Sequence, residues 1–226
     1  MSKKLLLSLA PLFAVVAFAV TPAIAQAQLT YGACAPSATP SPNCPAGEEF
    51  IAFKTGTAVK VTSKKVPGSG NYKLVAEAGT IECTSLVDKG TVTNKLIGGV
   101  LTGTSVLTLE FDGCTFMGCP VQTAGSGAGN IVIVGVKDQV ITATTVTVTL
   151  PTGGVVIVFS GPPPTGCPAA GTTLGTISGS TTGTQAAKTN ILTFAAATGL
   201  LFNGKPATIT GEDEVETETG AKKVYI

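Results

Sequence analysis

The chain has 226 residues, 44% of them hydrophobic and 12% charged, and its 14 basic residues are all lysines. A net charge of +1 with no arginine excludes the clustered positive surface that nucleic acids or anionic membrane surfaces require. The absence of histidine excludes Ser-His-Asp and Cys-His catalysis and removes the commonest metal ligand, and tryptophan is also missing.

Lys3 and Lys4, the apolar run Leu5 to Val20, and the small-x-small patterns Ala23-Ile24-Ala25 and Ala25-Gln26-Ala27 have the layout of a secretory signal peptide, 1–27, cleaved after Ala25 or Ala27. An uncleaved anchor is the alternative, against which the run is short. Tyr31 stands where lipoprotein processing at Cys34 would need an aliphatic residue. Residues 28–47, rich in Pro, Ser, Ala and Thr, read as a flap or linker of turns and polyproline-like coil.

From 48 to 226 the sequence predicts one all-β domain. Valine, isoleucine and threonine in alternation, punctuated by glycine, suit a pleated surface. Strands are expected at Glu49–Lys54, Thr57–Ser63, Tyr72–Ala78 and Thr80–Ser85, the last directing Ile81 and Cys83 inward. Two weaker strands, Gly90–Leu96 and Val100–Thr104, flank Gly98-Gly99. Ser105–Phe111 is strong, with Leu107, Leu109 and Phe111 on one face. Asn130–Val136 reads as a strand buried on both faces. Gln139–Leu150 and Val155–Ser160 read as a hairpin around Pro151–Gly154. Thr172–Ser178 and Asn190–Ala197 follow, joined by a Gly/Ser/Thr-rich stretch from Gly179 to Gln185. The alanines of Gln185–Gly199 also allow a helix. Asn203-Gly204 marks a tight turn before Ala207–Thr210 and Asp213–Thr219, and Lys222–Ile226 closes the chain. The expected architecture is an antiparallel β-sandwich or irregular β-barrel, disulfide-bridged.

Six cysteines behind an export signal imply structural bridges. Proximity in sequence pairs Cys34 with Cys44 and Cys114 with Cys119, leaving Cys83 with Cys167. No CxxC spacing points to a metal or redox centre. No catalytic, cofactor-binding or metal-binding residue is assigned. Gly125–Gly129 reads as a turn, since it opens no helix with a phosphate-binding pattern. Glu110 and Asp112, two apart on a strand, are the one pair that could serve a carboxylate-dependent hydrolase, although the aromatic platforms of a sugar site are missing. Glu212, Glu214, Glu216 and Glu218 should line one strand face around Asp213, as a solvated face or with counter-charges such as Lys222 and Lys223, or calcium.

In chain order, Gly79-Thr80-Ile81-Glu82-Cys83-Thr84-Ser85, Gly90-Thr91-Val92-Thr93, and Leu107-Thr108-Leu109-Glu110-Phe111-Asp112-Gly113-Cys114 followed by Cys119 resemble a pattern, GxIxCTSS…GTVT…LTFxGC…C. It belongs to a group of secreted bacterial proteins of unknown function, common in actinobacteria, and the resemblance spans Cys44 to Val136. It implies export, cysteine bridging and a β-rich fold, and transfers no catalytic residue. The sequence therefore points to a non-enzymatic structural or binding protein, secreted or of the periplasm and cell envelope. An outer-membrane β-barrel and a hydrolase are the alternatives. No cofactor, nucleic acid or membrane span of the mature chain is expected. A protein or envelope partner would dock through strand edges.

Overall fold

Period-two alternation of β-branched residues, broken by glycines at positive φ, produces strands and no helix among the described residues. These are residues 29–161, 166–219 and 222–226 of a computed structural model; the expected signal peptide and the Pro162–Pro164 run lie outside them. A two-stranded sheet of β1 (Gly32–Pro36) and β2 (Glu48–Ala52) comes first. It pairs across the expected boundary at residue 47, so the flap extends to Ala52, and part of the predicted coil is strand.

Thirteen strands form the second sheet. They are β3 (Ala58–Lys65), β4 (Tyr72–Ala76), β5 (Gly79–Cys83), β6 (Ser85–Ile97), β7 (Val100–Asp112), β8 (Thr115–Phe116), β9 (Cys119–Thr123), β10 (Ile131–Thr142), β11 (Thr145–Thr149), β12 (Val155–Phe159), β13 (Thr173–Gln185), β14 (Ile191–Phe202) and β15 (Lys205–Thr217). Both ends of this sheet turn back on it: β11 pairs with β13, and β4 pairs with β15. Along β15, Asp213–Thr217 faces β3 and Ala207–Thr210 faces β4, so β3 and β4 are successive segments of one stave. The pairs β5/β6, β7/β8, β9/β10 and β11/β12 are related in the same way. With β13, β14 and β15 as single long strands, eight staves result. Each is antiparallel to the next in sequence, and the last, β15, closes on the first. The sheet is a closed up-and-down barrel. Closure leaves the barrel without a free edge, so a partner docking by strand addition would have only the β1–β2 hairpin to pair with among the described residues.

The interior is mainly apolar. Val61, Leu86, Val92, Leu107, Val136, Val140 and Val146 fill the half formed by β3, β6, β7, β10 and β11. Phe116, Val121, Ile157 and Phe159 fill the half formed by β4, β5, β8, β9 and β12, where Phe116 and Phe159 meet edge to face with centroids 6.3 Å apart. The first half is capped by both terminal segments. Asn94, fully buried, accepts from the Tyr31 N–H at 2.9 Å and donates to the carbonyls of Tyr31 and Phe53 at 2.8 and 2.9 Å. Gln185 donates to the Val224 carbonyl and accepts from the Ile226 N–H. Tyr31, Val224 and Ile226 are thereby held over the barrel end.

Several expectations change. The predicted hairpin of Gln139–Leu150 with Val155–Ser160 does not form, because the chain already turns at Ala143-Thr144, with Thr142 opposite Thr145. No glycine or proline marks that turn. Pro151–Gly154 instead offsets β11 from β12 along one stave. The segment 130–136 is buried on one face only: Ile131 and Ile133 point inward, while Val134 is 68% exposed. A bulge at Gly135 (φ 78°) then shifts the phase, returning Val136 and Val140 to the core. Gly179–Gln185 is strand rather than linker, and Gln185–Gly199 contains strand rather than helix. Gly183 faces inward there, where a Cβ would lie 2.8 Å from Leu192 Cδ1, so glycine makes room for the large side chains of β14.

All six cysteines are bridged, as Cys34–Cys44, Cys83–Cys114 and Cys119–Cys167. The first pair agrees with the expectation; the other two exchange partners. Met117 and Gly118, both at positive φ, make a two-residue hairpin turn that sets Phe116 opposite Cys119. Cys114 is then diagonal to Cys119, a separation of about 7–8 Å in a ladder, too far for a bridge. On its other side, β8 pairs with β5, Ile81 opposite Phe116 and Glu82 opposite Thr115, and the next step brings Cys83 to Cys114. Three disulfides are the mark of an oxidising, extracellular-type environment.

Candidate functional site

Three strands carry one aspartate each in phase with inward apolar residues: Asp88 between Leu86 and Val92 on β6, Asp138 between Val136 and Val140 on β10, and Asp213 before Val215 on β15. Side chains two apart share a face, so the fold carries all three carboxyls into the barrel, where each is more than nine-tenths buried. Two internal cavities, of about 100 and about 50 Å³, are both lined by Asp88, Asp138 and Asp213. The larger is otherwise walled mainly by leucine, isoleucine and phenylalanine, with Tyr72, Lys73 and Thr181. The smaller lies beneath the Tyr31, Val224 and Ile226 cap.

The carboxyls have little to hold their charge. Asp88 Oδ1 accepts from the Ser63 N–H at 2.8 Å, which offsets only part of the effect of burial, and its pKa is raised. Asp213 is pushed well above the usual carboxylate range by burial, against the pull of the Tyr72 hydroxyl and with the push of Asp88 and Asp138. Tyr72 donates to the Glu212 carbonyl at 2.8 Å and also bonds Asp213 Oδ1. Its ring lies over Gly211 and meets Phe111 edge to face at 5.5 Å. Asp138 is raised to about 7 by burial, with Asp88 adding to it. Ser105 stands directly opposite Asp138 in the ladder and pulls the other way, yet Ser105 Oγ and Asp138 Oδ1 make no hydrogen bond of acceptable geometry, so burial decides. Among the described residues no lysine pairs with any of the three. Lys65, opposite Asp213 in the ladder, turns its ammonium to Asn71 Oδ1 and the Thr84 carbonyl.

The residues singled out in the sequence lie elsewhere. Glu110 and Asp112 sit on the outward face of β7, away from both cavities. Glu214, Glu216 and Glu218 also face outward and pair with Lys223, Lys64 and Lys60 at 3.8, 3.9 and 3.3 Å. The counter-charges are thus lysines, one of them the Lys223 expected from the sequence. Asp213, read there as one of an acidic run, belongs to the opposite face. Its signal was legible as phase: an acid between Gly211 and Val215 on a strand. Among the described residues no three acidic or thiol groups converge as metal ligands do. The site can hold protons or a compact cation; Lys73 lines the larger cavity, but its ammonium pairs with Glu82 at 3.8 Å rather than with any of the three aspartates. No family model, curated protein or solved structure matches this chain.

Proposed function

We propose that the protein is a non-enzymatic exported binding protein of the cell envelope or extracellular space, whose barrel interior receives a small ligand. The observation that carries this reading is Asp138 Oδ1, a buried acceptor with no hydrogen-bond partner, on a residue lining both cavities. An orphaned buried acceptor is costly to maintain in a purely structural core. Eight-stranded barrels have an interior just wide enough to be filled by side chains or to hold one small ligand. The three bridges support an exported setting, as does the resemblance of the motif order to that of secreted bacterial proteins.

The closed ring of eight staves also favours a second reading, an outer-membrane barrel. Such a barrel carries an apolar band outside, whereas here Lys60, Lys64, Lys89 and Lys137 and the threonines Thr145, Thr147, Thr182 and Thr184 interrupt exposed apolar residues such as Val106 and Val134, and the inside is mainly apolar around the three aspartates. Solubility of the mature protein without detergent supports the first reading; a requirement for detergent supports the second. Ligand binding is tested by thermal-shift screening of a chemically diverse small-molecule set against the mature protein and its Asp138→Asn variant. The reading expects compounds whose stabilisation depends on Asp138, and a screen blank for every class overturns it.

A further inference from the structure

We propose that the barrel cavity binds a small organic monocation, a protonated amine with a short alkyl or aryl body, whose ammonium is held by Asp138 and Thr181, with Asp88 and Asp213 elsewhere on the cavity wall. This deepens the binding reading above and rests on it. Asp138 and Thr181 are 8% and 4% exposed, and Asp138 Oδ1 and Thr181 Oγ1 are both without hydrogen-bond partners while lining the larger cavity. An ionised carboxylate oxygen only accepts, a threonine hydroxyl accepts as well as donates, and an ammonium offers three donors. No lysine pairs with any of the three acids, so a carboxylate formed at Asp138 has no counter-charge inside the barrel, which a cationic guest supplies and an anionic one worsens.

The walls select the kind of cation. Leu109, Phe111, Ile133, Ile177 and Phe194 offer no oxygen, and no three acids converge among the described residues. Calcium takes about six to eight oxygen ligands. An amine needs only acceptors at one end and apolar contact at the other. The larger cavity, about 100 Å³, is somewhat smaller than the roughly 150 Å³ apolar cavity that admits benzene. The smaller chamber, sharing the same aspartates, adds room beside it. The guest's body is therefore no larger than about one aromatic ring.

The probes are benzylamine and n-butylamine as hydrochlorides, benzyl alcohol as neutral isostere, and calcium chloride, each titrated calorimetrically into the full mature protein at pH 7.5. An amine should bind at least tenfold more tightly than benzyl alcohol. It should release protons, read as a dependence of the observed heat on the ionisation enthalpy of the buffer. Asp138→Asn, which preserves shape and removes an uncompensated charge, should weaken amine binding at least tenfold. Thr181→Val, a second and milder change, should weaken it severalfold and keeps the test available should the first variant misfold. Binding of benzyl alcohol as tight as that of the amines, stronger stabilisation by calcium than by amines, or amine binding indifferent to both substitutions overturns the amine assignment. The wider screen then decides separately whether the cavity binds anything. If it finds Asp138-dependent ligands of another class, the binding reading stands; if it is blank, both fall.

Discussion

An aspartate on a strand face otherwise made of valine and leucine sets the pH behaviour of this molecule. Asp138 ionises near 7 in the folded barrel and near 3.8 when unfolded, because burial penalises its charged form. A raised carboxyl makes folding most favourable below the unfolded value, and stability falls as pH climbs through the folded one. The span corresponds to about 4 kcal/mol for this group alone. Urea midpoints should therefore be higher at pH 4 than at pH 8, the reverse of the usual acid sensitivity, with Asp88 and Asp213 contributing in the same direction. Asp138→Asn should flatten the slope between pH 4 and 8 and raise the midpoint at pH 8. Unchanged midpoints across that range in the parent protein would contradict the account. Gly211 gives a second residue-level test. A Cβ there runs into the ring of Tyr72, which bonds Asp213. Gly211→Ala should cost about 1–3 kcal/mol, and part of that loss should disappear in a Tyr72→Phe background, where the ring has no bond to keep its place.

Among the elements, turns and bulges decide which strand meets which. Two-residue turns at Gly98-Gly99, Met117-Gly118 and Asn203-Gly204 have positive φ at both positions, which matches the twist of antiparallel strands. Asn203-Gly204 is readable in advance. Met117-Gly118 is not, because methionine is no turn former, and missing it misassigned two of the three bridges. Peptide mapping under non-reducing conditions should recover Cys83–Cys114 and Cys119–Cys167, and recovery of Cys114–Cys119 would refute the β8–β9 hairpin. Replacing Cys83 and Cys114 together by alanine should cost about 3–4 kcal/mol on the loop-entropy model for their separation of 31, seen as a lower thermal midpoint.

For the whole molecule, ring closure does two things. It removes exposed sheet edges, and it gathers three aspartates from staves far apart in sequence into one apolar interior. The cap over one end hangs on Asn94. Asn94→Ala leaves the Tyr31 N–H and the Phe53 carbonyl without their partner, while the Tyr31 carbonyl keeps the Phe53 N–H at 3.0 Å. Its expected cost is about 3 kcal/mol, with faster hydrogen exchange concentrated at Tyr31–Ala33 and Val224–Ile226. Uniform acceleration through the barrel staves would instead mean that the cap and the barrel unfold as one.

Composition and alternation by themselves determined that the chain is all-β and bridged, that Ile81, Cys83, Leu107 and Phe111 point inward, and that Glu214 and Glu216 do not. These follow from side-chain period and residue chemistry, which are local. Only the tertiary structure decided that β3 continues into β4 and β11 into β12, that the last stave closes on the first, and which cysteines meet. Ladder partners lie up to about 150 residues apart, as in Val61 opposite Thr217, and no local pattern encodes the register between them. The candidate site has the same origin. Asp88 and Asp138 fall between the expected strands and Asp213 reads as part of an acidic run, so the sequence assigns none of them to the interior; their shared cavity exists only because the sheet closes around them.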